Sequence, residues 1–142
     1  MEKIVINKDI NVFYVTAKKF PEGIQEAFDT LHAKLPGSDG RVFYGISRPE
    51  GGEIRYRAAA EELYPGEAEA FHLESLQIRK GDYLSEIVKE YMNNISEISQ
   101  TFQRLLDHPN LDPDGYCVEW YFNAKDVNCM VRLLETIDKK TP

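Results

Sequence analysis

The sequence is poor in the residues that build metal centres and disulfide frameworks. Its 142 residues include two cysteines and three histidines. Cys117 and Cys129 do not form a CxxC pair, and His32, His72 and His108 are scattered, so no zinc-type cluster is expected. No cofactor is implied either: GDYLSEIVKEY (81–91) lacks the Gly-rich spacing of a phosphate loop. Two free thiols fit a cytoplasmic protein. Positive charge is scarce, with 17 Lys and Arg against 24 Asp and Glu and a net charge of −7. There is no helix-turn-helix pattern and no Lys/Arg-rich arm, so direct nucleic-acid binding is not expected. No apolar run approaches the ~18 residues of a membrane span. The opening MEKIVINKDINVFYV has no uninterrupted apolar signal core and is expected to remain as a strand.

What is present suits one folded domain over 1–142. The hydrophobic fraction is 42% and the aromatic fraction 11%, which argues against disorder. A chain of this size can bury roughly 68–70% of its unfolded surface.

Residues 3–18 alternate as extended structure. Val12, Tyr14 and Thr16 share one face, and Phe13, Val15 and Ala17 the other. After Pro21-Glu22-Gly23, the spacing of Ile24, Ala27, Phe28, Leu31 and Leu35 predicts a helix over 22–35. RVFYGIS (41–47) and EIRYRAAAE (53–61) predict a hairpin around a turn at 48–52. The acidic stretch 61–69 reads as a solvated linker, and FHLESLQIRK (71–80) as a strand. Leu84, Ile87/Val88, Tyr91/Met92, Ile95, Ile98, Phe102 and Leu105/Leu106 predict a helical region over 82–107. GYCVEWYF (115–122) and DVNCMVRLLE (126–135) complete the chain as strands.

The order β-α-β-β therefore occurs twice, in halves 3–62 and 70–135, offset by about 75 residues, a period too long for a solenoid. The expected fold is α+β: duplicated β-α-β-β units in one antiparallel sheet of about eight strands. The helices would cover one face and a ligand groove would form on the other. Asp39-Gly40 and Asp114-Gly115 anchor the alignment of the halves, which sets Tyr44 against Glu119.

Glu119 is the conspicuous residue, a carboxylate inside an aromatic and β-branched strand. Period-2 alternation puts Tyr116, Val118, Trp120 and Phe122 on one face and Cys117, Glu119 and Tyr121 on the other. The first set is more apolar and is expected under the helices. Glu119 then lies on the free face, with Val42, Tyr44 and Ile46 nearby and Ile54, Tyr56 and Ala58 as a wall. A glutamate on an open sheet face can simply be solvated. In a groove lined by tyrosines it suits a cation, to which each ring face adds ~0.5–2 kcal/mol.

RVFYGISRPEGGEIRYRAAAE, KGDYLSEI and VEWY, in this order and spacing, resemble the GyrI-like family over residues 3–135. This is the effector-binding domain superfamily shared with multidrug-sensing regulators of the AraC and MerR types. The resemblance implies lipophilic, often cationic, ligands in a central groove. It also implies a recurrent acid in a Glu-x-Tyr context, which matches Glu119 and Tyr121. Some members hydrolyse reactive electrophiles with the groove glutamate and a tyrosine.

The leading expectation is a stand-alone domain binding lipophilic or cationic small molecules, as sensor or sequestering protein. Its ligand-binding residues would be Glu119, Tyr121, Tyr44, Tyr56, Trp120, Tyr14, Tyr83 and Cys117. The enzymatic alternative casts Glu119 as base or nucleophile with Tyr44 as its partner. A third alternative is an interaction module for a basic protein surface. A regulator's separate DNA-binding domain is not expected within this length, and the residues fix neither the ligand nor the oligomeric state.

Overall fold

The computed structural model describes residues 1–37 and 40–134. Asp39, half of one alignment anchor, lies outside them, as does the tail from Glu135 onward. The elements are β1 (Glu2–Ile6), β2 (Ile10–Thr16), α1 (Ile24–Lys34), β3 (Phe43–Glu50), β4 (Glu53–Glu61), α2 (Glu67–Ala70), β5 (Glu74–Ile78), β6 (Gly81–Val88), α3 (Ile95–Leu105), β7 (Cys117–Tyr121) and β8 (Val127–Arg132). A short 3-10 turn, Tyr91–Asn93, precedes α3. The class is α+β, as expected. Among the described residues no helix is long and apolar enough to cross a membrane.

All eight strands form one antiparallel sheet in the order β1-β6-β8-β7-β3-β4-β2-β5. This order is its own mirror when each strand of the first half is exchanged for its counterpart in the second. The two halves meet at the central pair β3–β7, and each half's first strand crosses over to edge the other half. The β3–β4 hairpin turns on Gly51 and Gly52, both at positive φ, where a tight hairpin favours glycine.

The repeat differs from the expected one in its strands. Residues 3–18 divide into β1 and β2, and residues 81–88 are strand β6, not the start of a helix. Leu84, Ile87 and Val88 satisfy a helical stripe on paper. However, Ile87 is exposed, while Tyr83, Ser85 and Val88 are buried. β6 is paired on both sides, by β1 and β8, and these ladders override the local helical pattern. Helix α3 begins only at Ile95.

The faces sort cleanly. On one, Phe13, Ala58 and Ala60 pack under Ala27 and Leu31 of α1. Val127, Cys129 and Val131 pack with Leu105, Ile98 and Phe102 of α3. On the other, Val12, Tyr44, Ile46, Tyr83, Val118 and Met130 form a dense cluster with no helix over it among the described residues. Val12, Ile46 and Met130 are wholly buried there, because the sheet curls into a half-barrel around them. Helix α1 packs chiefly on β4 and β2, and α3 on β6 and β8. The central pair β3–β7 is thus left between the helices.

The stretch 61–69 is only partly the expected solvated linker: residues 63–66 are exposed, but Glu67 and Ala68 of α2 are docked. Glu67 of α2 receives both terminal nitrogens of Arg41, at 2.9 and 3.1 Å, and both side chains are nearly buried. Arg41 also donates to Glu61 O and stacks over Phe13. Its hydrogen bonds to Glu67 hold that carboxyl down at about 2. A lowered carboxyl stabilises the fold above the unfolded value, and that stabilisation is lost as pH falls through the folded one. Glu67→Gln should therefore cost about 1–3 kcal/mol at pH 7, and the deficit should close between pH 4.5 and about 2. Thermal denaturation of both proteins across this range is the measurement.

Candidate functional site

A cleft of about 750 Å³ opens between α1 and α3, with the central pair β3–β7 as its floor. It lies on the helix face, opposite to the face expected for the groove. Strand β3 is oriented as expected, with Phe43 and Gly45 toward the helices and Val42, Tyr44 and Ile46 away. However, Ile54, Tyr56 and Ala58 of β4, expected as a wall of the free face, lie on the helix face beside Gly45. The second-half strand is reversed. Cys117, Glu119 and Tyr121 point to the helix face, while Tyr116, Val118 and Trp120 join the helix-free cluster. Both faces of β7 are buried, so comparing their apolarity could not assign them.

Glu119 is 9% exposed. Its Oε1 accepts two hydrogen bonds, from the Tyr56 hydroxyl at 2.8 Å and the Tyr121 hydroxyl at 2.5 Å. Oε2 has no hydrogen-bond partner among the described residues, and the Glu119 side chain lines the cleft. Burial pushes the Glu119 carboxyl above the usual carboxylate range, and the two phenols oppose this by stabilising the charge. Burial, then the neighbouring charge of Glu119, pushes both phenols upward, so they remain donors. The same causes push the Cys117 thiol up to about 11. Cys117 is therefore a protonated wall residue, without the thiolate that a nucleophile needs.

The cluster exists because residue 45 is glycine. In the β3–β7 register Gly45 lies directly beside Glu119. A Cβ at 45 would collide with the Tyr56 hydroxyl and with Glu119 Oε1. Tyr56 reaches across from β4 through the space that a side chain would fill. An interior strand glycine often marks such a close approach.

Aromatic rings build the walls. Phe28 of α1 packs edge-on against Tyr56 and Tyr121, at 6.3 and 6.1 Å. Tyr91 meets Tyr121 at 5.2 Å, and Phe20 stacks on Tyr56 at 5.9 Å. Ile98 and Phe102 of α3 close the far side. Among the described residues Glu119 is the lining's one carboxylate, and no lysine or arginine lines it.

Of the residues expected to bind ligand, Glu119, Tyr121 and Cys117 line the cleft and Tyr56 lies beneath it. Tyr44, Trp120, Tyr14 and Tyr83 are on the other face. Tyr44 is 4% exposed and pairs with Trp120, one residue out of register with Glu119. A one-residue slip in a strand exchanges its faces, so Tyr44 is no partner for Glu119. Tyr14 donates weakly to Glu74, and Tyr83 donates to Arg79 O at 2.6 Å. Sequence reasoning missed Gly45, Phe20, Phe28, Tyr91, Ile98 and Phe102. The glycine within RVFYGIS was the available signal for the first, and the cleft-facing side of each helix stripe for several of the rest.

No family model matches the chain, and no curated protein matches it in sequence. Solved structures do share its fold. An integron cassette protein, VCH_CASS2 of Vibrio cholerae, superposes with a TM-score of 0.68 at 12% identity, covering 93% of this chain and 94% of that one. SAV2435, solved bound to tetraphenylphosphonium, gives 0.60 at 11% identity and covers 94% of each chain. A hydrolase from Listeria innocua gives 0.55 at 12% identity, covering 93% of this chain and 90% of its own. At these identities the likeness is one of fold.

Gly45→Ala should cost about 1–3 kcal/mol by overpacking and break the Tyr56–Glu119 hydrogen bond. Adding Tyr56→Phe removes one colliding atom. The double variant should therefore recover part of the loss, a coupling readable by denaturant unfolding in a double-mutant cycle.

Proposed function

We propose that the chain is a binding domain for lipophilic cations, with Glu119 as the charge partner at the floor of the α1–α3 cleft. One observation carries this reading. A nearly buried carboxylate, anchored through Oε1 by two tyrosines, lines an aromatic cleft that, among the described residues, no lysine or arginine lines. A carboxylate buried without a basic partner is costly, and a cation seated over it would remove that cost. The surrounding rings add cation–π attraction. The cleft volume falls in the range of small-molecule sites, ~300–1,000 Å³. The tetraphenylphosphonium complex of SAV2435, which shares the fold, supports a bulky cation as the ligand class. Sensing or sequestration would follow from binding alone.

The Listeria hydrolase of the same fold favours a second reading, hydrolysis of a small electrophile. Glu119 would then be the base, since its raised carboxyl suits proton abstraction nearer neutrality. Tyr121 or Tyr56, not Tyr44, would be the phenol beside it. Product formation lost in Glu119→Gln supports this reading, and stoichiometric binding without product removes it.

Calorimetry with tetraphenylphosphonium and neutral triphenylphosphine oxide tests the cation reading. Glu119→Gln should weaken the cation by about tenfold or more, 1.4 kcal/mol, and the neutral compound by no more than about twofold. Equal losses for both would remove the charge-pairing role.

A further inference from the structure

Every element around Glu119 withholds a positive charge from it. β3 offers Gly45, β4 offers Tyr56, β7 offers Tyr121 and Cys117, and β8 places Cys129 beside it. The 3-10 turn supplies Tyr91, and α3 lines the cleft with uncharged Ser99 and Gln103. On α1, His32 is the one lining group among the described residues able to gain positive charge, and it stacks on Phe43 at 4.6 Å. Glu86 of β6 is already paired with Arg104 of α3 at 2.7 Å.

The two oxygens of Glu119 are unequal. Oε1 accepts from two hydroxyls, so its lone pairs are engaged. Oε2 has no hydrogen-bond partner among the described residues, and the Glu119 side chain lines the cleft. A carboxylate so placed has two ways to avoid an unpaired buried charge: a proton on Oε2, or a cation against it. Each compensates the same buried charge, so each disfavours the other.

We propose that Glu119 is a proton–cation exchange site, holding a proton on Oε2 when no ligand is bound and releasing it to water as a lipophilic cation enters. The inference rests on the cation-binding reading above and adds its regulation. The exchange balances: one carboxyl O–H bond breaks, the proton passes to solvent, and the carboxylate's charge is matched by the incoming cation. The two phenols make the exchange reversible. Their hydrogen bonds favour the ionised form, keeping it within reach of a ligand. The burial-raised carboxyl agrees with this geometry. Cation affinity should then climb by about tenfold per pH unit below the carboxyl's midpoint and level off above it. A neutral ligand of the same shape should show no such slope.

The test uses the full chain and tetraphenylphosphonium. The Glu119 side-chain carboxyl resonance, assigned by its loss in Glu119→Gln, is titrated by ¹³C NMR with and without the cation. Proton release is counted by calorimetry in buffers of different ionisation enthalpy. The exchange predicts a midpoint above the ordinary glutamate range in the free protein and a lower one in the complex. It also predicts close to one proton released per cation below the free midpoint, with the same count in His32→Gln. A midpoint in the ordinary range, or binding with no proton released, overturns the exchange and leaves the cation-binding reading standing. A high midpoint that tetraphenylphosphonium neither shifts nor binds overturns both. Release that disappears in His32→Gln assigns the proton to the histidine and also overturns the proposal.

Discussion

The structure depends on the central antiparallel pair, β3 with β7. It is the one place where the two halves join through their inner strands, and the helices flank it without covering it. α1 follows the apolar face of β2 and β4, and α3 that of β6 and β8. The gap between them is a consequence of where each amphipathic helix finds its own half's core. The cleft's floor is the least mobile kind of backbone, strands paired on both sides. Its walls are helix faces fixed by packing, completed by Phe20 from the β2–α1 connection and Tyr91 of the 3-10 turn. A side chain on that floor is positioned by a ladder of hydrogen bonds, which is how a rigid site is best built.

The chemistry of the floor follows from a single missing side chain. Gly45 opens a space that Tyr56 fills from the next strand, and the Tyr56 hydroxyl then meets Glu119. Tyr121, two residues along the same strand face, supplies the second donor. The two bonds converge on one oxygen, which divides the carboxylate into an anchored half and an open half. Burial and hydrogen bonding act on it in opposite directions, and burial prevails.

Much of this was legible in the sequence. The duplication, the sheet, α1 and the β3–β4 hairpin follow from periodicity, and Glu119 stands out as one anomalous charge. Three things did not. Leu84, Ile87 and Val88 fit a helix and a strand equally, and only the flanking ladders of β1 and β8 decide between them. Glu67 looked like one more surface acid, because its partner Arg41 lies far away in sequence. The face of Glu119 was misassigned because both sides of β7 are buried, so relative apolarity carries no direction there. The duplication compounded the error. An alignment one residue out selected Tyr44 where the register places Gly45, and neighbouring strand positions face opposite ways.

The mirrored strand order has a consequence for what each half alone could do. Two identical halves, each lending its first strand to the other, would build the same sheet as a symmetric pair of chains. In such a pair the middle of the β3–β7 ladder would set like against like: glycine facing glycine with no charge, or glutamate facing glutamate with two. Here the middle of that five-pair ladder holds Gly45 on one side and Glu119 on the other. Two halves that differ, as these joined halves do, can place one carboxylate at the centre and an empty position beside it, which a symmetric pair of identical halves cannot. The joined halves thus give the protein an off-symmetry centre, because the two sides are no longer alike.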